Sequence, residues 1–72
     1  MKFNELDVVR TLADFTKDNI FVGDTGTIVS LFEDPCEAYL VEFVNQDGST
    51  KAMLTILPED LEVVKYFQWD TN

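Results

Sequence analysis

The chain of 72 residues contains no histidine and only one cysteine, Cys36. It therefore lacks the side chain most often used as a general base and as a metal ligand. A single thiol closes no intramolecular disulfide, which excludes a secreted scaffold held together by disulfides. Cys36 also lacks a histidine to activate it, and its neighbours Asp34 and Glu37 are acidic, which disfavours a nucleophilic thiolate. We predict no catalytic residue, and we interpret Cys36 as a turn residue or a small buried one.

Basic residues are scarce. The chain has 5 Lys and Arg residues and 14 Asp and Glu residues, so its net charge is -9. Such a surface repels a phosphate backbone and attracts basic partners. The basic residues are also scattered along the chain: Lys2, Arg10, Lys17, Lys51 and Lys65. The composition therefore disfavours nucleic-acid binding. A purely solubilising role of the acidic surface is the alternative to a basic partner.

Long apolar runs are absent as well. No stretch is long enough to span a bilayer, and the N-terminus lacks a basic region followed by an apolar run. We therefore expect no membrane span, no signal peptide and a cytoplasmic location. The sequence shows no internal repeat, linker or low-complexity tract.

The residues that are present fit one small globular domain. Hydrophobic residues make up 46% of the chain and nine residues are aromatic, enough for one core. A chain of this length buries only about 60% of the surface that its unfolded form exposes, so a modest stability is expected. We predict one domain over residues 1–67 and a short tail over 68–72.

The most motif-like stretch is VGDTGTIV, residues 22–29. Gly23 and Gly26 are predicted to open and close a tight turn, and the β-branched residues after them favour a strand. The stretch lacks the lysine and the following helix of a phosphate-binding loop, so a structural role is favoured. Replacement of Gly26 by valine is expected to cost stability more than activity.

Alternating residues and turn signals predict the remaining elements. Strands are predicted at 26–33, 38–45, 50–57 and 61–67, with Tyr39, Val41 and Phe43 on one face of the second of these. Asp47 and Gly48 predict a hairpin turn, and residues 57–61 predict one helical turn. Residues 1–20 fit either a helix or a strand by pattern. With a first strand, the chain is an all-β, five-stranded SH3-like barrel with one short 3-10 turn before the last strand.

Four separate segments resemble a family of short bacterial proteins known as domain of unknown function 4926. They are MKFNELDVVR (1–10), GDTGTIV (23–29), YLVEF (39–43) and LPEDL (57–61), and the likeness covers about residues 1–65. The resemblance implies an SH3-like barrel, a first segment that is a strand, and no enzymatic activity. Members are often encoded beside a toxin-like gene, which implies an antitoxin or immunity role. The glycine turn is also similar to part of the KOW motif, which implies RNA binding as an alternative.

Acidic and aromatic residues outside the predicted core are the candidates for a partner surface. They are Glu33, Asp34, Glu37, Glu42, Tyr66, Phe67 and Trp69. Exposed aromatics flanked by acids are good anchors for a protein partner. The alternative interpretation is that Phe67 or Trp69 caps the open end of the barrel. Three carboxylates around Pro35 match no regular cation-binding loop, so no metal or cofactor is predicted.

Two functions follow from these observations. The favoured one is a non-enzymatic, acidic protein-interaction module of the antitoxin or immunity type, which neutralises a basic partner protein by binding it. The alternative is an RNA- or ribosome-associated barrel of the KOW type. The alternative requires Lys2, Arg10, Lys51 or Lys65 to converge beside exposed aromatics.

Overall fold

The computed structural model describes residues 1–65, which form one antiparallel sheet of five strands. The strands are β1 (Val8–Thr11), β2 (Thr25–Phe32), β3 (Ala38–Val44), β4 (Thr50–Ile56) and β5 (Leu61–Val63). Their order in the sheet is β4-β3-β2-β1-β5. The predicted all-β class with five strands is confirmed, and this order is the one found in SH3-like barrels. No helix within residues 1–65 has the length and apolar character needed to cross a membrane.

Strand β3, which pairs with β2 on one side and β4 on the other, shows why the sheet forms. Tyr39, Val41 and Phe43 alternate along it and are buried, whereas Glu42 between them is half-buried on the other face. This period of two matches the pleat of a strand with one face on the core. The inward side chains of the other strands and of two flanking segments complete the core: Phe3, Val9, Ile20, Ile28, Ile56 and Leu61.

The ambiguous first segment contains a strand. Val9 and Thr11 face the core and are fully buried. The buried hydroxyl of Thr11 is satisfied, because it donates to the carbonyl of Ala13 at 3.0 Å. Leu6 and Leu12 are at even positions, whereas the buried residues Val9 and Thr11 are at odd positions. Both leucines are exposed. Register, rather than hydrophobicity alone, therefore selects which residues of this segment enter the core.

Strands β2, β3 and β4 agree with the predicted bounds to within one residue, and two larger differences remain. Strand β5 ends at Val63, so the predicted strand 61–67 is too long; residues 66 and 67 lie outside the described part of the chain. A 3-10 turn at Pro58–Asp60 precedes β5 as predicted, but a second one at Thr16–Asp18 was not predicted. It lies in the loop between β1 and β2, where Ile20 is buried and Phe21 is exposed.

Gly26 corrects the prediction for the glycine turn. Gly23 has a φ of 96° and stands in the turn, whereas Gly26 lies within β2, opposite Val9, with φ outside the left-handed region. A Cβ atom at Gly26 would lie 2.7 Å from the carbonyl oxygen of Glu42 and 2.7 Å from Cγ1 of Val41. Gly26 therefore does not close the turn. It is small because β3 packs directly against it.

Candidate functional site

The loop between β2 and β3, residues 33–37, is here called the acidic turn. Glu33 and Asp34 are exposed in it, Cys36 is exposed and free, and Glu37 is half-buried. Within residues 1–65 no group of three or more acidic or cysteine side chains is arranged to hold a metal ion. The chemistry that this turn offers is therefore negative charge open to solvent.

Glu37 holds the N-terminal segment to the core. Its Oε2 accepts a hydrogen bond from the hydroxyl of Tyr39 and another from the backbone N–H of Lys2, the latter at 2.8 Å. The Tyr39 hydroxyl in turn accepts the backbone N–H of Phe3 at 3.0 Å, and the two rings meet edge to face at 5.2 Å. One carboxylate thereby ties together a buried tyrosine and the first residues of the chain.

These hydrogen bonds change the acidity of both partners. The hydrogen bond from Tyr39, and after it the one from the Lys2 backbone, lower the pKa of Glu37 below its usual value of 4.5. Burial, followed by the hydrogen bond to Glu37, raises the pKa of Tyr39 above 10.0. Glu37 is therefore a charged structural support, and its Oε2 is already occupied.

Glu42 lies apart from the acidic turn. It is on the outer face of β3, opposite Thr27 and Met53, and its Oε2 accepts the hydroxyl of Thr50 at 2.6 Å. Glu37 is five positions earlier in the chain, which in extended conformation corresponds to roughly 17 Å. Of the four acids predicted to bind a partner, the structure places Glu33, Asp34 and Glu37 in one turn and Glu42 elsewhere. The three predicted aromatics, Tyr66, Phe67 and Trp69, lie outside the described residues.

The structure also exposes apolar side chains that the sequence-based prediction missed. Phe32 precedes the acidic turn and is 40% exposed, and Leu57 follows β4 and is 41% exposed. Met53 on β4 is 48% exposed. A signal for them exists in the sequence, since each occupies the strand parity opposite to the core residues. A leucine or phenylalanine at an outward position is the pattern that would have indicated a surface site.

Of the basic residues, one is paired with an acid and two lie far apart. Arg10 on β1 is paired with Glu62 on β5, with Nε 2.8 Å from Oε2 but poorly aligned for a hydrogen bond, so the contact is mainly ionic. Lys2 contacts the acidic turn at the start of β3, whereas Lys51 lies beside Phe43 and Val44 near its end. The length of β3 separates these two lysines.

A shallow cleft of about 180 Å³ opens where β3 and β4 meet the loop before β2. Pockets for small ligands usually have volumes of roughly 300 Å³ or more, so this cleft is small for a substrate. Its lining residues are Ile20, Asp24, Thr25, Phe43, Val44 and Lys51.

Taken together, fold and surface define a small all-β domain with an open acidic turn beside exposed apolar side chains. The sequence model of the family described as Domain of unknown function (DUF4926) matches residues 5–63, and the chain belongs to this family. The resemblance found in the four segments is thereby confirmed. No curated protein and no solved structure matches the chain.

Proposed function

We propose that this protein is a non-enzymatic, acidic interaction module that acts in the bacterial cytoplasm by binding a basic protein. In its sharpest form the proposal is an antitoxin or immunity protein that masks a basic functional surface of its target. The observation that carries it is that exposed acidic side chains lie next to an exposed apolar one: Glu33 and Asp34 directly follow Phe32, and all three are exposed. Open charges steer association, and desolvated apolar side chains slow dissociation.

The wider chain is consistent with this role. The net charge of -9 favours encounter with a positively charged partner over long distances. The RNA-binding alternative has less support, because Arg10 is paired with Glu62 and because Lys2 and Lys51 lie at opposite ends of β3. An RNA-binding barrel needs a positive groove beside stacking aromatics.

The proposal is tested by recovering the complex. The full chain is affinity-purified from its native lysate, treated with nuclease, and also co-expressed with the product of the adjacent gene. A stoichiometric complex with a basic protein that survives nuclease and dissociates as salt is raised is the expected result. A complex lost on nuclease treatment would favour the RNA-associated alternative. Failure to recover any stoichiometric protein partner by either route would contradict the proposal.

The matched variants are a charge reversal and a control reversal. Glu33→Lys with Asp34→Lys removes the open charge of the acidic turn, and we expect it to abolish the complex. Glu5→Lys with Asp18→Lys changes the net charge equally at exposed positions elsewhere, and we expect the complex to persist. Equal losses with both pairs would show that net charge, not the acidic turn, determines binding.

A further inference from the structure

An apolar row crosses three strands on the outer face of the sheet next to the acidic turn. Phe32 on β2 is the register partner of Ala38 on β3, and Tyr39 is the partner of Ile56 on β4. Leu57 follows Ile56 in extended conformation and so continues the row beside Ala38. Successive strand residues alternate between faces. Because Tyr39 and Ile56 point into the core, Phe32, Ala38 and Leu57 lie on the opposite face. Phe32 and Leu57 are exposed there, and the small Ala38 between them is buried, at 7% exposure.

The row continues along β3 and β4. Leu40 is two residues from Ala38 on the same face, and its register partner is Thr55. Met53 on β4 and Leu57 just after it flank Thr55, so both are diagonal neighbours of the half-buried Leu40 at a distance that long side chains bridge. Phe32, Leu40, Met53 and Leu57 are here called the apolar face. Contiguous exposed apolar surface on a small protein commonly marks an interaction site.

Acidic residues border the apolar face. Glu33 and Asp34 follow Phe32 directly, and Glu59 follows Leu57 by two residues; all three are exposed. Lys51 is six residues from Leu57 along β4, roughly 20 Å away. Lys2 lies at the same end as the acidic turn, but its ammonium group is over the ring of Phe3, 5.3 Å from the centroid. The border of this surface is therefore predominantly negative.

We propose that the apolar face, bordered by Glu33, Asp34 and Glu59, is the docking surface for a basic polypeptide segment. The segment inserts apolar side chains between Phe32 and Leu57, and its Lys or Arg residues pair with the acidic border. Charge complementarity selects this occupant. A second copy of the chain would bring the same acidic border against itself in a two-fold contact, with each copy at -9. The inference rests on the proposed function and names the surface and the chemistry of the partner.

The first test uses defined peptides and the isotope-labelled full chain, observed by amide NMR. The probe peptide alternates lysine and leucine. One control peptide replaces leucine by serine, and the other replaces lysine by glutamate. We expect the lysine–leucine peptide to shift the amides of Phe32, Leu40 and Leu57, and both controls to bind about tenfold or more weakly. Equal binding by the lysine–serine peptide, or shifts confined to other surfaces, would overturn the proposal.

The second test places the binding on named side chains. Phe32→Gln with Leu57→Gln is expected to weaken the lysine–leucine peptide about tenfold or more, as loss of interface anchors does. Phe21→Gln with Val22→Gln, at exposed apolar positions in the β1–β2 loop, serves as the control and is expected to bind like the wild type. If the first pair unfolds, Met53→Gln tests the same face at one position and is expected to weaken binding several-fold. Unchanged binding by the folded variants would overturn the proposal.

A third test compares a double variant of the acidic border with a control double variant at other acidic positions. Glu33→Gln with Asp34→Asn is expected to weaken the peptide several-fold at low salt. Glu5→Gln with Asp18→Asn alters the net charge by the same amount and is expected to leave affinity close to wild type. Equal weakening by both pairs would contradict a specific border.

The two proposals fail separately. The titration needs no natural partner. A native complex that is unaffected by Phe32→Gln with Leu57→Gln would overturn the docking surface and leave the proposed function standing. Absence of any native protein complex, with peptide binding at the apolar face, would overturn the proposed function instead.

Discussion

The two loops at the ends of β3 use similar polar residues in opposite ways. In the hairpin loop, residues 45–49, the Asp47 carboxylate accepts both the backbone N–H and the hydroxyl of Ser49, at 2.9 and 2.6 Å. The backbone carbonyl of Asn45 accepts the N–H of Gly48, and the backbone N–H of Asn45 donates to the carbonyl of Ser49. In the acidic turn, by contrast, Glu33 and Asp34 remain exposed to solvent.

This difference separates structural acids from available ones. A carboxylate that is hydrogen-bonded within its own loop stabilises that loop and would have to lose those bonds to contact a partner. Asp47 belongs to this class, and so does Glu37 within the acidic turn. Glu33 and Asp34 belong to the other class and lie beside the apolar face. Acidic composition alone does not distinguish the two, whereas hydrogen-bond partners do.

The largest expected effect concerns the hairpin end of the sheet. Gly26→Ala is expected to lower the free energy of unfolding by about 3 kcal/mol, because the added methyl meets the backbone of Glu42 and the side chain of Val41. Gly48→Ala is the control, since its φ of 90° is strained for alanine but its Cβ meets no atom within 4 Å, and about 1 kcal/mol is expected. Denaturant unfolding measures both. A Gly26→Ala protein as stable as the wild type would refute the close-packing explanation.

The next effect concerns the N-terminal segment at the acidic-turn end. Phe3→Ala is expected to lower the free energy of unfolding by about 3 kcal/mol, because Phe3 is 4% exposed and packs on Tyr39. Leu6→Ala, at a position 74% exposed, is expected to change it by less than about 0.5 kcal/mol. Comparable losses in the two variants would mean that the segment does not pack as described.

A smaller effect should appear in acid. The pKa of Glu37 is lowered in the folded state. The contribution of its charged form to folding stability is therefore complete above pH 4.5 and is lost as the pH falls through the folded pKa. Thermal unfolding at about pH 7 and about pH 3 should therefore show a smaller fall in Tm for Glu37→Gln than for the wild type. Glu33→Gln, which alters an exposed residue of the same turn, should retain the wild-type fall. An identical pH response of Glu37→Gln and the wild type would show that the hydrogen bonds of Glu37 are not coupled to folding.

The smallest effect on stability is expected at the apolar face. Leu57→Gln should change the free energy of unfolding by less than about 1 kcal/mol, since the side chain is 41% exposed. The preceding residue, Ile56, points to the opposite face and is 1% exposed, and Ile56→Ala should cost about 3 kcal/mol. Thermal and denaturant unfolding compare the two. A large loss with Leu57→Gln would make Leu57 a core residue and would remove it from the proposed docking surface.

Much of the fold was predictable because its signals are local. The alternation of Tyr39, Val41 and Phe43 identified β3 and its buried face, and Pro58 marked the 3-10 turn before β5. The second 3-10 turn at Thr16–Asp18 was missed, because no proline marks it and Asn19 closes it in the left-handed conformation without a glycine. The end of β5 was overestimated, because the apolar residues after Val63 continue a strand-like pattern.

The candidate surface was only half predictable. The acids of residues 33–37 stand together in the sequence, so their grouping was evident. Phe32, Met53 and Leu57 are up to 25 positions apart, and only the pairing of β2, β3 and β4 brings them onto one face. Glu37 looked like Glu33 in the sequence, and its role in holding Lys2 and Tyr39 depends on a contact 35 residues away.

By itself the sequence determined the charge, strands β2 to β4 and the hairpin at Gly48, since these depend on composition or on neighbouring residues. Its four matching segments also indicated the family. The tertiary structure decided which acids are free, which apolar residues face outward together, and why Gly26 must be small. A shift of one residue in the pairing register moves every side chain of a strand to the opposite face of the sheet. That register is fixed by packing between strands distant in the chain.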